Sequence, residues 1–299
     1  MIRTSFRKAL TALGALSLAA CSTLQSASAP EAPRPAMWKL SDADTTIYLF
    51  GTIHLLPEGL QWRTPALDQA IAASDSLVLE TTIGSNPTAA AQTMMKLALT
   101  PGLPPLIERV PEDKRAALQK MIDTTGVPPK LLDGMETWAA ALTLLAVSFR
   151  EMGFNPDLGV EKGLEASYKA SAKPVTGLET VEQQFGFFDT LSEEAQRTFL
   201  AGMADAPEDA RAQFQAMLEA WSSGDTDAIA ATFDSETALL PELRETLMKR
   251  RNAAWADWLA RRLDEPGTVM VAVGAGHLVG RDSVQAMLKA RGLRTKRVQ

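Results

Sequence analysis

The chain's two histidines stand in the same local phrase, Gly-x-x-His-Leu: Gly51-Thr52-Ile53-His54-Leu55 near the start and Gly274-Ala275-Gly276-His277-Leu278 near the end. Imidazole is the side chain whose ordinary titration falls nearest neutral pH, and it is the commonest neutral metal ligand. Two imidazoles brought together from opposite ends of a chain would make a site for proton transfer or for an ion. Gly51 and Gly274 support this reading, because glycine permits a tight turn and lets another group approach the main chain closely. Two carboxylates stand in comparable places, Glu80 after the apolar run 76–79 and Glu179 after the run 173–178. Two histidines with one or two carboxylates form a ligand set for Mn2+, Co2+ or Zn2+ that leaves a position open for water. Such an ion lowers the pKa of bound water toward neutrality, and a nearby glutamate can act as general base. On this reading His54, His277 and Glu80 are ligands, and Glu179 is the base or an alternative ligand. Glu58, close behind His54, reads as a solvated loop residue.

The elements that must position these groups follow from periodicity. Residues 37–40 and 45–50 are apolar or β-branched runs separated by Ser41-Asp42-Ala43-Asp44, which reads as a hairpin turn. After His54, residues 65–73 read as a helix and 76–79 as a strand ending at Glu80, a βαβ unit. Residues 173–178 form a further strand, and Thr180 with Gln183 has capping-box spacing, so a helix opens behind Glu179. A helix over 246–263, a strand over 268–273, a helix over 282–290 and a last strand over 295–298 complete the sheet-forming parts. Between them, about 87–172 and 190–264 read as inserted helical segments, with helices over 87–99, 112–124 and 129–152. Residues 138–149 are apolar nearly all round, the mark of a buried helix. The fold class is therefore α/β, with functional groups gathered beyond the carboxyl ends of the strands.

The N-terminus carries a different message. Arg3, Arg7 and Lys8 precede a short apolar stretch, 9–20, too short to span a bilayer. Leu18-Ala19-Ala20-Cys21 resembles a bacterial lipobox, which implies cleavage before Cys21 and lipidation of that residue. Ser22 after the cysteine implies the outer membrane under the sorting rule. Residues 1–20 are then a signal peptide, 21–36 a lipidated cysteine with an Ala-, Ser- and Pro-rich tether, and 37–299 the folded domain. Cys21 is the sole cysteine, so the mature domain has no internal disulfide. Loss of residues 1–20 removes three positive charges and takes the net charge from −6 to about −9, which argues against nucleic acid as a partner.

Several stretches together resemble the TraB/GumN/PrgY family. They are residues 48–56, Val78-Leu79-Glu80, Gly177-Leu178-Glu179-Thr180, Arg251-Asn252 with Trp255, and residues 273–278, in the family's order and across nearly the whole mature chain. That family is similar to the Tiki proteins, membrane-associated metal-dependent proteases, and more remotely to erythromycin esterases. The resemblance implies two related β-α halves, each with a GxxH motif, and one cleft holding both histidines. It implies supporting roles for Asn252 and Glu161. The family commonly has Gly-x-Asp ahead of the central helix, where this chain has Gly159-Val160-Glu161. Arg251 suits an oxyanion or a substrate carboxylate, because its planar charge offers several donors.

Three functions satisfy these residues. The first is a lipid-anchored, metal-dependent hydrolase acting on peptide or protein substrates, as the Tiki similarity implies. The second is a metal-free hydrolase in which one histidine is the general base and the other a transition-state partner. The third is a binding or regulatory envelope protein that keeps the cleft without turnover. No Gly-x-Ser-x-Gly elbow and no His-Glu-x-x-His helix is present, so serine-hydrolase and zincin readings fail.

Overall fold

The apolar runs that precede the two histidines lie side by side as parallel strands, and this pairing sets the architecture around it. In the computed structural model, residues 32–82, 87–204, 207–238 and 241–299 are described. The strands are β1 (Met37–Ser41), β2 (Thr45–Thr52), β3 (Leu56–Pro57), β4 (Ser76–Leu79), β5 (Phe154–Asn155), β6 (Val175–Gly177), β7 (Gly267–Gly274) and β8 (Lys296–Arg297). The α-helices are α1 (Pro65–Ala73), α2 (Pro87–Ala98), α3 (Glu112–Thr125), α4 (Pro129–Asp133), α5 (Thr137–Glu151), α6 (Val160–Ala170) and α7 (Val181–Asp189). They continue with α8 (Glu193–Met203), α9 (Pro207–Ser223), α10 (Thr226–Ala238), α11 (Pro241–Leu243), α12 (Arg250–Arg262) and α13 (Val284–Ala290). Residues 1–31, on which the expected signal peptide, lipobox Cys21 and most of the expected tether fall, lie outside the described residues.

The chain is a mixed α/β structure on a six-stranded sheet of order β6-β4-β7-β2-β1-β8. β6, β4, β7 and β2 run parallel, whereas β1 is antiparallel to both β2 and β8. The central strands are apolar along most of their length because both faces are covered. Alternation sends Ile47, Leu49, Val78, Val269, Val271 and Val273 to one face, where Trp255, Leu259, Val284 and Leu288 of α12 and α13 cover them. Phe50, Leu77, Leu79, Met270 and Ala272 point the other way, toward Leu67 and Ile71 of α1, Leu164 and Tyr168 of α6, and Trp221 of α9. α1 begins where expected, because Thr64 accepts from the Leu67 amide and Pro65 fills the first turn.

A further core, around Trp138 and Leu144, joins α2, α3, α4, α5 and α8. Here the structure departs from the single helix expected over 129–152. α4 stops at Asp133 and α5 starts at Thr137, because the intervening backbone is used elsewhere. Met135 bridges to Leu99, the Glu136 amide donates to the Ala98 carbonyl, and the buried Arg109 guanidinium donates to the carbonyls of Pro104, Asp133 and Met135. Residues 138–149 are buried on all sides only in their first half, and Ala146 is exposed. The helix expected from 246 opens instead with a π-helical turn, Arg244–Lys249, before α12. The β3–β5 pair, Leu56 with Asn155 and Pro57 with Phe154, has no signal in the sequence and ties the loop after His54 to the entry of α6.

Arg109 donates to the carbonyls of Pro104, Asp133 and the buried Met135, and an apolar side chain there would leave them without this donor. Arg109→Leu should lower unfolding free energy by about 3 kcal/mol, measured by urea denaturation, while leaving the imidazole signals of His54 and His277 unmoved in NMR spectra.

Candidate functional site

Four parallel strands end on the same edge of the sheet, and their order across it is the order of the functional groups they deliver. Glu179 follows β6, Glu80 follows β4, His277 follows β7 and His54 follows β2. β2 and β7 are in register to their last residues, with Thr52 opposite Gly274. A methyl group placed on Gly274 would stand 3.0 Å from Glu80 Oε1, 3.6 Å from His277 Cδ2 and 3.9 Å from His54 Nε2, so the three side chains converge on this one Cα. They open into a cleft of about 230 Å³ whose remaining walls include Leu55, Phe214, Met217, Phe233 and Met248.

The glycines serve closeness rather than unusual backbone angles. Gly51 and Gly274 have no positive φ. Gly51 leaves room for Ala275, whose Cα would lie 3.1 Å from an added methyl, and Gly274 leaves room for the carboxylate and both rings. Gly159 does the same for the His54 loop: an added methyl would meet the His54 carbonyl, 3.0 Å from its carbon. That contact lets the Val160 amide donate to the Ile53 carbonyl at 3.1 Å and sets Glu161 beside the ring.

His54 and His277 share a motif but not an environment. His54 Nδ1 lies 2.7 Å from Glu161 Oε1, an oxygen that also accepts from Thr52 Oγ1. Glu161 therefore stands behind the His54 ring, on the side of Nδ1. Its charge raises the His54 pKa from 6.5 to about 9, with the hydrogen bond adding to the effect against the opposing cost of burial. The His54 side chain is still 65% exposed at the cleft mouth, so water screens the pair and tempers its contribution to stability. His277 is not a projecting strand-end side chain but a buried one, held in a 3-10 turn (Ala275–Leu278) against the Trp255 ring, with centroids 4.5 Å apart. Asn252 donates from Nδ2 to the Asp282 carbonyl at 2.7 Å, which turns its Oδ1 to accept from His277 Nδ1–H at 2.6 Å. His277 Nε2 is then the acceptor, facing Arg251 Nη1 at 3.2 Å. Burial, against the opposing charge of Glu80 and helped by that of Arg251, pushes its pKa down to about 3, which keeps this ring neutral.

Arg251 occupies the middle of the polar floor. Its Nε and Nη2 donate to the two oxygens of Glu179 at 2.8 and 2.9 Å, and Nη2 donates to Glu80 Oε2 at 2.6 Å. The rings of Phe187 and Trp255 lie over it at 5.3 and 4.8 Å, and Trp255 Nε1 donates to Glu179 Oε1 at 2.9 Å. Burial raises the Glu80 pKa, but the positive charge around it and the Gly274 amide, which donates to Oε1 at 2.6 Å, outweigh it and hold the carboxyl below the usual carboxylate range. With His277 neutral, that charge comes from Arg251 and from a protonated His54. Gln184 had no part in the sequence expectations. Its Nε2 donates to Glu80 Oε2 and Glu179 Oε2 at 3.2 and 3.3 Å, and its sole signal was its place one turn into the capped helix behind Glu179.

His54, His277, Glu80, Glu179, Glu161, Arg251 and Asn252 are thus linked around this cleft, Cys21 lies outside the described residues, and Glu58 is exposed as expected. Their partners differ from a ligand set. Among the described residues no three His, Cys, Asp or Glu side chains are arranged to hold an ion. The reason is Arg251: Glu80, Glu179 and His277 Nε2 all face its guanidinium, and a divalent ion there would meet that positive charge at contact distance. With Arg251 in this position the residues do not fit a metal.

A mixed α/β chain with a His/Glu/Arg cleft at the carboxyl ends of parallel strands is the class that fold and site define. The TraB/PrgY/gumN family model matches residues 36–297, and the chain belongs to that family. It is 26% identical over 242 residues to the uncharacterized protein YbaP of Escherichia coli (strain K12), covering 81% of this chain and 87% of that one. An uncharacterized protein of Treponema pallidum (strain Nichols) is 22% identical over 274 residues, covering 86% and 80% respectively. No solved structure matches.

A histidine whose pKa is raised on folding adds stability that is full below its unfolded pKa of about 6.5 and disappears as pH climbs through the folded value of about 9. Glu161→Gln should therefore lower the thermal midpoint at pH 6 and leave it equal to wild type at pH 10. In NMR titration the His54 pKa of the variant should return toward its ordinary value.

Proposed function

We propose that this chain is a hydrolase of carbonyl substrates in which His54 and Glu161 form the proton-transfer pair. The observation that carries the reading is the orientation of His54: Nδ1 is engaged by Glu161, and Nε2 faces the same Cα as Glu80 and His277. An unprotonated Nε2 takes a proton from an attacking water, and the imidazolium so formed is stabilised by Glu161. Passed on to the leaving group, that proton completes the cycle. Arg251 is positioned by Glu80 and Glu179 before any substrate arrives. Its Nη1 donates to His277 Nε2 and the Leu247 carbonyl at 3.2 and 3.3 Å rather than to a carboxylate, and exchanging the longer of these for the carbonyl oxygen would set the guanidinium against charge developing there. Apolar walls favour an ester or peptide with an apolar group beside the scissile bond. The two strand–GxxH–helix units, β2 with α1 and β7 with α13, are read as related halves around one cleft.

Metal-dependent hydrolysis by Mn2+, Co2+ or Zn2+ is the second reading, favoured by the convergence of His54, His277 and Glu80 on Gly274. It requires Arg251 to withdraw from its present place. A cleft without turnover is the third.

Screening tag-free protein against acyl esters and peptides tests the first reading. His54→Ala should lower kcat/KM by about 10²- to 10⁴-fold, and its thermal midpoint should fall below wild type at pH 6, where the pair with Glu161 contributes, and match wild type at pH 10. kcat/KM of wild type should rise with pH up to the His54 pKa, and Glu161→Gln should move that limb to lower pH. Loss of the pH limb's dependence on Glu161 would remove His54 from the base role.

We further propose that the protein is anchored at the bacterial envelope through lipidated Cys21, facing the periplasm from the outer membrane. No helix among the described residues is long and apolar enough to cross a membrane. Intact-mass analysis of material extracted from membranes should give a chain beginning at an acylated Cys21. A free thiol there would refute the anchor.

A further inference from the structure

The cleft has two unlike surfaces. Its polar floor comes from strand ends, and its apolar wall includes Phe214 and Met217 of α9, Phe233 of α10 and Met248 of the π-helical turn. Phe214 is fixed by the rings of Phe149 and Phe154, with centroids at 4.8 and 4.4 Å. Phe233 is pressed against Gly276, where an added methyl would stand 2.6 Å from its ring. The two methionines are unbranched and adapt to what enters. All four stand on helical backbone whose main-chain groups are spent within the helix. They offer apolar surface rather than a strand edge for an extended peptide to join. An apolar cavity of about 150 Å³ holds benzene. A cleft of about 230 Å³ therefore has room for a carbonyl carrying one apolar group of roughly six to eight carbons.

Phe233, Met248 and Gly276 also line a second void, of about 20 Å³, whose other walls include Asp234, Arg244 and Asp282. Arg244 is held by both aspartates, at 2.7 Å each. The Phe233 ring and the Met248 chain thus stand between the apolar cleft and a charged cluster, and they end the apolar space. We infer that this wall is an acyl-selecting pocket, that its occupant is the compact apolar acyl group of an ester or amide, and that Phe233 sets the longest chain it takes. The inference rests on the hydrolytic reading for the bond that is cut, whereas the pocket itself is reported by binding alone.

The test uses tag-free protein carrying isotope-labelled methionine methyls. The signals of Met217 and Met248 are followed by NMR during titration with straight-chain amides from acetamide to decanamide. In parallel, kcat/KM is measured for the methyl esters of the same acids, which water cleaves to acid and methanol, so that the acyl chain is the sole apolar group able to fill the wall. Affinity should rise about fourfold per added methylene as far as hexanamide to octanamide and then stop rising, with both methyl signals moving, and kcat/KM should peak at the same length. Phe233→Ala joins the two voids and should move that limit to a longer chain by about two methylenes or more. Phe233→Leu should move it less, and it serves as the variant if Phe233→Ala does not fold. Affinity indifferent to chain length, or methionine signals that stay in place, overturns the pocket. A limit unmoved in a folded Phe233 variant overturns the role of Phe233. Amides that bind with the expected limit while no ester is cleaved uphold the pocket and count against the hydrolytic reading. Esters cleaved without regard to chain length do the reverse.

Discussion

The bidentate clasp of Arg251 on Glu179, shared with Glu80, is the contact on which the functional edge of this molecule rests. A cation on α12 is bound by carboxylates that leave two different strands, β4 and β6, and it faces an imidazole that follows a third, β7. None of the three charges is free to reach water, so each is held in place by the cost of leaving the other two unpaired. Removing one member of such a buried set costs about 3–5 kcal/mol, whereas keeping all of them is close to neutral for stability. The clasp is therefore better read as positional: it fixes where the strand ends stand relative to α12. Gln184, Phe187 and Trp255 lock it from three sides.

That fixed charge also explains why two identical motifs produce two different histidines. His277 lies beside a permanent cation, is buried, and has its Nδ1 proton directed at Asn252, so burial and the Arg251 charge outweigh the pull of Glu80, 3.9 Å from Nε2, toward the protonated form. His54 lies at the solvent side of the same Cα with Glu161 on its Nδ1, so its cationic form has a partner. One ring is held neutral and one is biased toward the imidazolium. Pairs of titratable groups pushed apart in this way mark the division of acid–base roles in a site. Here the division comes from what stands behind each ring, Asn252 in one case and Glu161 in the other.

Much of this was legible in the sequence, for identifiable reasons. Parallel strands buried on both faces write themselves as continuous apolar runs, and helix starts write themselves as caps. The runs before His54, Glu80 and His277, the α1 boundaries and the Thr180 capping box were therefore readable. The strand ends followed from the runs, and the residues just beyond them followed from the strand ends. The break at Gly134 to Glu136 was not readable, because it depends on Arg109, Leu99 and Ala98, which approach from another part of the chain. Gln184 belongs to the same category, and Glu161 was marked by the family resemblance alone. Nothing local distinguishes a glutamate that reaches a histidine on another element from one that faces solvent. Arg251 was visible as a functional candidate, but its partners were not: a sequence lists charges without saying which of them neutralise one another, and that ambiguity is what made a metal-ligand set and an arginine clasp read alike.

The repetition of the motif has a steric logic that follows from the parallel pairing of β2 and β7. Gly51, the glycine of the first motif, faces Ala275 of the second, and its carbonyl accepts from Trp221 Nε1 at 2.8 Å. Gly274, the glycine of the second motif, faces Glu80 and both rings. Each glycine thus makes space for something the other motif or its neighbour supplies, and neither needs the backbone freedom that glycine also provides. Gly276, inside the second motif, has no counterpart in the first. It accepts the Phe233 ring of α10, which would lie 2.6 Å from an added methyl, and so brings the apolar cleft wall down onto the polar floor. The shared part of the phrase therefore builds the floor from two strand ends. The part that differs, Thr52-Ile53 against Ala275-Gly276, decides what closes over each histidine, and hence which ring meets solvent.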